Sequence, residues 1–289
     1  MAIVHHGRFI HAPTILRFLK IPTIYYCHEP PRALYEKELS IPKGLSLVKK
    51  FYEMKIRQIR KQLDYLNVQK ATLVVTNSAF TAQNIKKTYK RDAFVVGVGI
   101  NTKTFKKERL QKKEQIISVG NAQPQKNYTL AIKAISLLPA SHRPRYIIVG
   151  NQHTDKDKLL NLARINNVKL TFKTNISTQE LVRLYNASKI ALASAINEPL
   201  GIFPLEAMAC GLPVIALNQG GFAQTILNNK TGLLVNNSPE SFSKAIFRLL
   251  VDDQLSKRLS TSAIHHIKKN YSWKLVQTKM YMAIDILKS

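Results

Sequence analysis

Residues 190–217 read IALASAINEPLGIFPLEAMACGLPVIAL. Two short apolar runs, Ile190–Ala193 and Val214–Leu217, enclose a loop and a stretch with helical periodicity that starts near Gly201. Short apolar runs separated by helical patterns are typical of βαβ units, in which a helix joins two parallel strands. This stretch therefore predicts a parallel sheet within an α/β fold.

The same alternation continues along the rest of the chain. Further strands are predicted at Ala2–Val4, Thr23–Cys27, Thr72–Val75, Phe94–Val98, Ile116–Val119, Tyr146–Val149 and Val168–Phe172. Helices are predicted at Thr129–Leu138, Lys156–Asn166, Thr178–Asn186, Leu205–Gly211 and Pro239–Val251. Ser177 and Glu180 have the capping-box spacing, which indicates a helix start between them.

Length and charge limit the domain organisation and the partners. The chain has 289 residues, so one large domain or two mid-sized ones are possible. Residues 101–114 (NTKTFKKERLQKKE) are charged and aperiodic, which predicts a linker between residues 1–100 and the rest. The net charge of +27 favours anionic partners.

Several classes of protein are disfavoured by the sequence. Cys27 and Cys210 are the only cysteines and lie far apart, so neither a disulfide scaffold nor a zinc site is expected. No apolar run approaches the roughly 20 residues that a membrane span needs. The N-terminus lacks the features of an export signal, so a cytoplasmic location is predicted. No nucleic-acid partner is predicted either, because the cations are scattered and no nucleic-acid-binding motif is present.

Two carboxylates stand out in the segment Asn197–Gly211. Glu198 is predicted on the loop after one strand, and Glu206 in the opening turns of the next helix. In open α/β sheets ligands bind beyond the carboxyl ends of the strands, where helix N-termini offer free N–H groups. The alternative interpretation is that Glu206 only balances a helix dipole and that Glu198 is a solvated loop residue.

These residues carry a family resemblance. The spacing from Glu198 to Glu206 resembles the E-x7-E motif of the family 4 retaining glycosyltransferases (glycosyl transferases group 1). The sequence that follows, AMACGLPVIA at 207–216, looks like the family's continuation. Further landmarks occur in the family's order: VTNSAF at 75–80, Gly99-Ile100-Asn101 with Phe105, Ser118-Val119-Gly120, Gly220-Gly221 and TGLLV at 231–235.

The resemblance implies a GT-B fold, with two Rossmann-like domains that face each other across a cleft. The N-terminal domain (1–100) is on the acceptor side and the C-terminal domain (115–270) holds a nucleotide-sugar donor. A last helix within 271–289 is expected to pack back on the N-terminal domain. The family usually has additional βα units ahead of the strand at Ala2–Val4, so the N-terminal domain is expected to be incomplete.

The resemblance also implies roles for individual residues. Glu206 would accept hydrogen bonds from the donor ribose, and Glu198 would contact the transferred sugar as a catalytic residue. The backbone N–H groups of Gly201, Ile202 and Phe203 would hold sugar hydroxyls and phosphate. These roles suit the groups, because a carboxylate accepts several hydroxyl donors.

The diphosphate-binding motif of the family is G-R-x4-K, and here the segment reads Gly120-Asn121-Ala122-Gln123-Pro124-Gln125-Lys126. Lys126 is in register as the catalytic cation, with Gly120 and Asn121 beside the donor. Asn121 replaces the arginine, so one charge that would stabilise the leaving diphosphate is missing.

His28 follows a predicted strand, and in similar enzymes a histidine at this point reaches into the cleft. His5 and His6 follow the preceding strand in the same way. His28 is the favoured catalytic candidate, although a hydrogen-bonded structural histidine is an equal alternative. No metal is expected, because the only D-x-D sequence, Asp155-Lys156-Asp157, reads as a helix start.

Residues 43–61 (KGLSLVKKFYEMKIRQIRK) combine apolar and basic residues at helical spacing. Such a helix is typical of binding to an anionic membrane surface. The alternative is a core-facing helix with a cationic outer face. Peripheral attachment to a membrane is one hypothesis for the location of the protein.

The sequence thus predicts transfer of a sugar, with retention, from a nucleoside-diphosphate donor to a glycan or lipid-linked acceptor in envelope glycan or glycolipid synthesis. No cofactor is expected. The alternative is a truncated, inactive remnant or subunit that binds a nucleotide or a partner without turnover. A missing N-terminal segment is a further candidate partner.

Overall fold

The computed structural model describes residues 1–7, 11–36, 44–152 and 154–288. The chain forms two compact units. The N-terminal unit comprises Met1–Val98 with Lys274–Ser289, and the C-terminal unit comprises Gly99–Trp273. Each unit contains a parallel sheet with helices, so the predicted α/β class is confirmed.

The strands are β1 (Ala2–His5), β2 (Thr23–Tyr26), β3 (Leu73–Thr76), β4 (Phe94–Val95), β5 (Gln115–Val119), β6 (Arg145–Val149), β7 (Leu170–Lys173), β8 (Ile190–Ala193), β9 (Val214–Leu217) and β10 (Leu233–Val235). The helices are α1 (Arg32–Tyr35), α2 (Leu47–Gln69), α3 (Ala79–Tyr89), α4 (Tyr128–Ser136), α5 (Lys156–Ile165), α6 (Thr178–Ala187), α7 (Ile202–Ala209), α8 (Phe222–Thr225), α9 (Pro239–Val251), α10 (Asp253–Asn270) and α11 (Trp273–Ile286).

The N-terminal unit is built on a four-stranded parallel sheet in the order β1-β2-β3-β4. One side of its core is completed by a buried carboxylate on α2. Asp64 accepts hydrogen bonds from the hydroxyls of Tyr89 (2.7 Å) and Tyr35 (3.0 Å) and from the backbone N–H of Ala12 (3.1 Å). Since a buried charge is costly unless it is hydrogen-bonded, these donors explain why α2 can bury an aspartate here.

The last helix belongs to this unit. Ala283 of α11 is fully buried against Ile24, Val75 and Val96, which come from β2, β3 and the residue after β4. Met280 and Ile284 of α11, and Leu287 directly after the helix, pack on the same cluster. Ser289, the last residue of the predicted 271–289 segment, lies outside the described residues.

The C-terminal unit contains a six-stranded parallel sheet in the order β10-β9-β8-β5-β6-β7. β8 and β9 are buried at every residue. This matches their uninterrupted apolar sequence, because helices cover both faces of such sheets. β5 pairs with β6 on one side and with β8 on the other, so the strand order reverses between β5 and β8.

The boundary between the units falls at Val98–Gly99, ahead of the predicted linker. Residues 101–114 belong to the C-terminal unit and are bound along the end of α6. Asn186 accepts from the N–H of Glu108 (2.7 Å) and donates to the carbonyl of Lys106 (3.0 Å), and the ammonium of Lys112 donates to the carbonyl of Ser188 (2.7 Å). The charged composition therefore marks a solvated surface segment.

Predicted helix limits differ from the structure in two informative places. α7 begins at Ile202, ahead of the predicted Leu205, because a proline in the first turn (Pro204) costs no hydrogen bond there. It ends at Ala209, because Gly211 has a left-handed φ of 69°. The starts of α6 after Ser177 and of α5 after Asp155 agree with the predictions.

Candidate functional site

The candidate site lies where the strand order of the C-terminal unit reverses. The loop after β5 carries Lys126, and the loop after β8 carries Glu198. Three hydrogen bonds join these loops: from the hydroxyl of Ser194 to the carbonyl of Lys126 (2.7 Å), from the N–H of Ile196 to the carbonyl of Gln125 (2.9 Å), and from Lys126 to Glu198. Ligands of open α/β sheets bind at this point of reversal.

Lys126 and Glu198 form an ion pair. Nζ of Lys126 lies 2.8 Å from Oε2 of Glu198, and both side chains are largely covered, with 28% and 22% of their surfaces exposed. Such a pair is screened less than a surface pair. An ammonium has three donors and a carboxylate has two oxygens, so each group retains bonding capacity for a ligand.

Glu198 is held through its backbone as well. Its carbonyl accepts the N–H of Gly221 at 2.7 Å, which ties the loop after β8 to the loop after β9. A Cβ at Gly220 would come within 2.7 Å of that carbonyl oxygen, and Gly220 has a φ of 59°. Glycine is therefore required at Gly220, and the close approach fixes the loop that presents the Glu198 side chain.

Gly201 precedes the first residue of α7 and has a φ of 79°. A Cβ at this position would lie 2.3 Å from the ring of Phe222. The absence of a side chain at Gly201 thus makes room for the ring of Phe222. Since Ile202 and Phe203 open the helix, their N–H groups have no intrahelical acceptor and remain suited to phosphate or hydroxyl oxygens.

Glu206 lies on α7, one to two turns after Gly201. Its Oε2 accepts a hydrogen bond from the hydroxyl of Tyr185 (3.0 Å), a fully buried residue of α6. Burial raises the pKa of the Glu206 carboxyl to about 7, while the Tyr185 hydrogen bond acts in the opposite direction. The bond to Tyr185 leaves Oε1 for another donor.

Gly120 forms the turn after β5 and has a φ of 145°. A Cβ there would lie 3.1 Å from Cε of Lys126 and 3.1 Å from the hydroxyl of Tyr128, which donates to the Gly120 carbonyl at 3.0 Å. Glycine thus leaves room for the stem of Lys126 to pass over the turn. Gly120 therefore determines the route by which the Lys126 side chain reaches the site.

Asn121 binds the protein backbone through its side chain. Its Oδ1 accepts the N–H groups of Asn151 and Gln152, each at 3.0 Å, so it holds the loop after β6. An arginine has no acceptor and could not make these bonds. The asparagine that removes a charge from the motif therefore supplies a contact to the loop after β6. Only its Nδ2 amide is left to bind a ligand.

The predicted histidines gather in the N-terminal unit. The ring centroid of His28 lies 4.8 Å from that of His6, 6.3 Å from that of His5 and 4.5 Å from that of Tyr26. Burial lowers the pKa of His28, and its histidine neighbours lower it further, so the ring is neutral near pH 7. A catalytic role for His28 stays a prediction.

The structure thus brings Lys126 and Glu198 together and places Glu206 on the adjoining helix. Among the described residues, Glu206 is hydrogen-bonded to Tyr185 and forms no ion pair with Lys126. Sequence reasoning missed Tyr185 and Tyr128, because each follows the apolar pattern of its own helix and its hydroxyl partner is set by tertiary packing. In the described part of the chain, no group of three or more His, Cys, Asp and Glu side chains could hold a metal.

Comparison with known proteins identifies the family. Residues 100–266 match the family described as glycosyl transferases group 1, which is more than half of the chain. The chain belongs to this family. The match spans both glutamates and Lys126, and the family's chemistry is sugar transfer. The protein is therefore a glycosyltransferase, and the resemblance found in the sequence is confirmed.

The curated relatives of this glycosyltransferase match different shares of its chain and of their own length. The human alpha-1,3/1,6-mannosyltransferase ALG2 is 27% identical over 91% of this chain and 68% of its own length. The relative of the same name from Rhizomucor pusillus is 22% identical, and the chain covers 65% of it. The D-inositol 3-phosphate glycosyltransferase of Corynebacterium glutamicum is 32% identical over 54% of this chain and 39% of its own length.

Solved structures share the fold. Sucrose-phosphate synthase from Thermosynechococcus elongatus has a TM-score of 0.79 and 20% identity over 94% of this chain and 69% of that chain. Anabaena HepE in complex with UDP has a TM-score of 0.76 and 17% identity over 96% of this chain and 75% of that chain. The expected GT-B fold class of this glycosyltransferase is thereby confirmed. None of the described helices is long and apolar enough to cross a bilayer.

Proposed function

We propose that this glycosyltransferase moves a sugar from a nucleoside-diphosphate donor to a hydroxyl acceptor with retention at the anomeric carbon. The observation that carries the proposal is the Lys126–Glu198 ion pair at the reversal point of the sheet. A cation and a carboxylate side by side suit a ligand with a diphosphate next to a polyhydroxyl group. The donor supplies both features.

Each side chain has a role in this proposal. Lys126 binds the diphosphate and stabilises the charge that develops as it leaves, which is commonly a large part of such catalysis. When the donor binds, the Glu198 carboxylate leaves the Lys126 ammonium and accepts hydrogen bonds from the sugar hydroxyls. One carboxylate oxygen of Glu206 accepts hydrogen bonds from the ribose hydroxyls. The other oxygen accepts the hydrogen bond from the hydroxyl of Tyr185. The N–H groups at the start of α7 bind phosphate or sugar oxygens.

No protein nucleophile and no metal are part of the proposed reaction. The bond between the anomeric carbon and the diphosphate oxygen breaks while the acceptor oxygen forms its bond on the same face of the sugar. The acceptor proton passes to the departing phosphate oxygen. Lys126 offsets charge that a metal ion would otherwise offset.

The acceptor is proposed to be a glycan or a lipid-linked molecule, with the protein working in envelope glycan or glycolipid synthesis at the inner face of a membrane. The support is the apolar and basic helix α2, together with relatives named as mannosyltransferases. A mannosyl donor is therefore the first to test, followed by a panel of UDP-sugars.

The experiment measures turnover of each nucleotide sugar, with and without lipid extract as acceptor, by release of nucleoside diphosphate. The anomeric configuration of the product is read by NMR spectroscopy. Turnover that is lost in Glu206→Ala supports the enzyme. Nucleotide binding without turnover, in the presence of acceptors, favours the inactive binding subunit, and an inverted product would refute retention.

A further inference from the structure

Helix α2 packs on its unit along one side only. Its buried residues are Asp64, Asn67 and Val68. Asp64 holds the tyrosine hydroxyls described above, and Asn67 donates to the carbonyl of Ala12 at 2.7 Å. These polar contacts fix which side of the helix faces inward.

The opposite side of α2 is apolar and exposed. At 3.6 residues per turn, most of its large apolar side chains fall on the side away from Asp64, Asn67 and Val68. This outward face consists of Leu47 (85% exposed), Val48 (80%), Phe51 (58%), Tyr52 (62%), Ile59 (53%), Leu63 (37%), Tyr65 (36%) and Leu66 (41%). A helix of a water-soluble domain normally turns such a face to the core.

Of the two interpretations of segment 43–61, the core-facing helix is therefore excluded for Leu47–Lys61. Lys43 lies outside the described residues.

Cations flank this outward face toward the inner half of the helix. Lys50 and Lys61 lie on one flank and Lys49 and Arg60 on the other, and all four are exposed, with the ammonium of Lys61 5.1 Å from the ring centroid of Tyr35. Lys55 lies within the face, with its ammonium 5.5 Å from the ring centroid of Phe51. The carboxylates of α2 lie on the inner side, where Asp64 is buried and Glu53 is half-buried.

We propose that the outward face of α2 binds the surface of an anionic lipid bilayer, with the helix lying in the plane of the interface. Apolar side chains enter the acyl boundary, and the exposed Lys49, Lys50 and Arg60 on the flanks reach the headgroups with their long stems along the helix. Each cation near such a surface adds attraction. The inference rests on the proposed function only for its purpose, which is to hold the enzyme at a lipid-linked acceptor.

Charge favours a membrane over a second copy of the chain. A two-fold contact between two outward faces would bury the Lys55 ammonium of both copies, and the face has no carboxylate to pair with it. A nucleic acid would match the cations but would leave the apolar side chains exposed. An anionic bilayer satisfies both.

The test is co-sedimentation of the full chain with phosphatidylcholine vesicles that do or do not contain phosphatidylserine. We expect binding that requires phosphatidylserine and weakens at high salt. Two double variants separate the two contributions: Phe51→Ser with Ile59→Ser removes apolar area, and Lys49→Gln with Lys50→Gln removes charge. Each should weaken binding about tenfold or more.

Matched controls come from the C-terminal unit. Ile165→Ser removes an apolar side chain that is 64% exposed, and Lys257→Gln with Lys268→Gln removes two exposed cations. These should bind vesicles as the parent protein does. Binding that is independent of phosphatidylserine, or lost equally in the controls, would overturn the proposal. So would a dimer in solution that dissociates in the Phe51 and Ile59 variant.

Nucleotide-sugar hydrolysis without lipid separates this inference from the proposed function. The α2 variants should hydrolyse donor as the parent protein does, because they lie outside the candidate site. If the protein is inactive but still binds vesicles, the proposed function fails and the lipid inference is supported. If the protein is active but does not bind vesicles, the proposed function is supported and the lipid inference fails.

Discussion

The two units use similar strands and helices but distribute their apolar side chains differently. In the C-terminal unit, β8 and β9 are buried throughout, and the exposed large apolar side chains are scattered over several helices and loops. In the N-terminal unit, the strand β1 is alternately exposed, and many exposed apolar side chains gather on α2. The comparison shows that an amphipathic pattern identifies a helix without telling which way its apolar face points.

The largest expected effect is on stability, from one substitution made in each unit. Leu192→Ala in the fully buried β8 should lower the free energy of unfolding by about 2 to 5 kcal/mol, because it leaves a cavity. Leu47→Ala in α2, where the leucine is 85% exposed, should change it by less than about 0.5 kcal/mol. Urea unfolding followed by circular dichroism measures both. Equal losses would mean that the outward face of α2 is covered.

The next effect tests whether the candidate site of the C-terminal unit carries the chemistry. Lys126→Met should lower kcat/KM for the donor by about 10²- to 10³-fold, because the departing diphosphate loses a fixed positive charge. Lys133→Met, on the exposed side of α4, is the control for the loss of a cation. A loss in Lys126→Met no greater than in this control would refute the role of Lys126.

A smaller effect concerns the pH dependence of donor binding. The carboxyl of Glu206 has a pKa raised to about 7 in the empty site. A donor whose ribose hydroxyls require the carboxylate should therefore bind more tightly as pH rises to about 7, by up to tenfold per pH unit, and not change above it. Isothermal titration with an intact nucleotide sugar measures this, since its phosphates do not titrate in the range.

Two variants sharpen that measurement. Glu206→Gln should abolish the pH dependence, because no proton is left to lose. Tyr185→Phe should move the midpoint to higher pH, because the hydroxyl of Tyr185 stabilises the carboxylate. A midpoint that moves down instead would contradict the role given to Tyr185.

The smallest effect tests Asn121. Asn121→Arg restores the family's charge but removes the acceptor for two N–H groups, so it should lower stability by about 1 kcal/mol and should not increase turnover. Asn121→Asp keeps an acceptor and should retain more of the stability in thermal unfolding. A gain in turnover for Asn121→Arg would show that the missing charge matters more than the loop contact.

Much of the fold was predictable because short-range patterns determine it. The predicted limits of β8, β9 and α9 agree with the structure residue by residue. Two features of the structure had no local signal: α2 extends beyond the predicted 43–61 segment to Gln69, and segment 101–114 is bound to α6. There the stabilising contacts come from residues far away in sequence, so no local pattern reports them.

By itself, the sequence determined the α/β class, the positions of the buried strands and the motif that places Glu198, Glu206 and Lys126 near the carboxyl ends of strands. Periodicity, glycine turns and residue spacing are local properties, and they are enough for these features. Only the tertiary structure decided that Lys126 pairs with Glu198, that Tyr185 holds Glu206 and that the apolar face of α2 points outward. These depend on which distant side chains meet when the chain packs, and neither hydrogen bonds between separate elements nor the direction of a helix face is encoded in a local pattern.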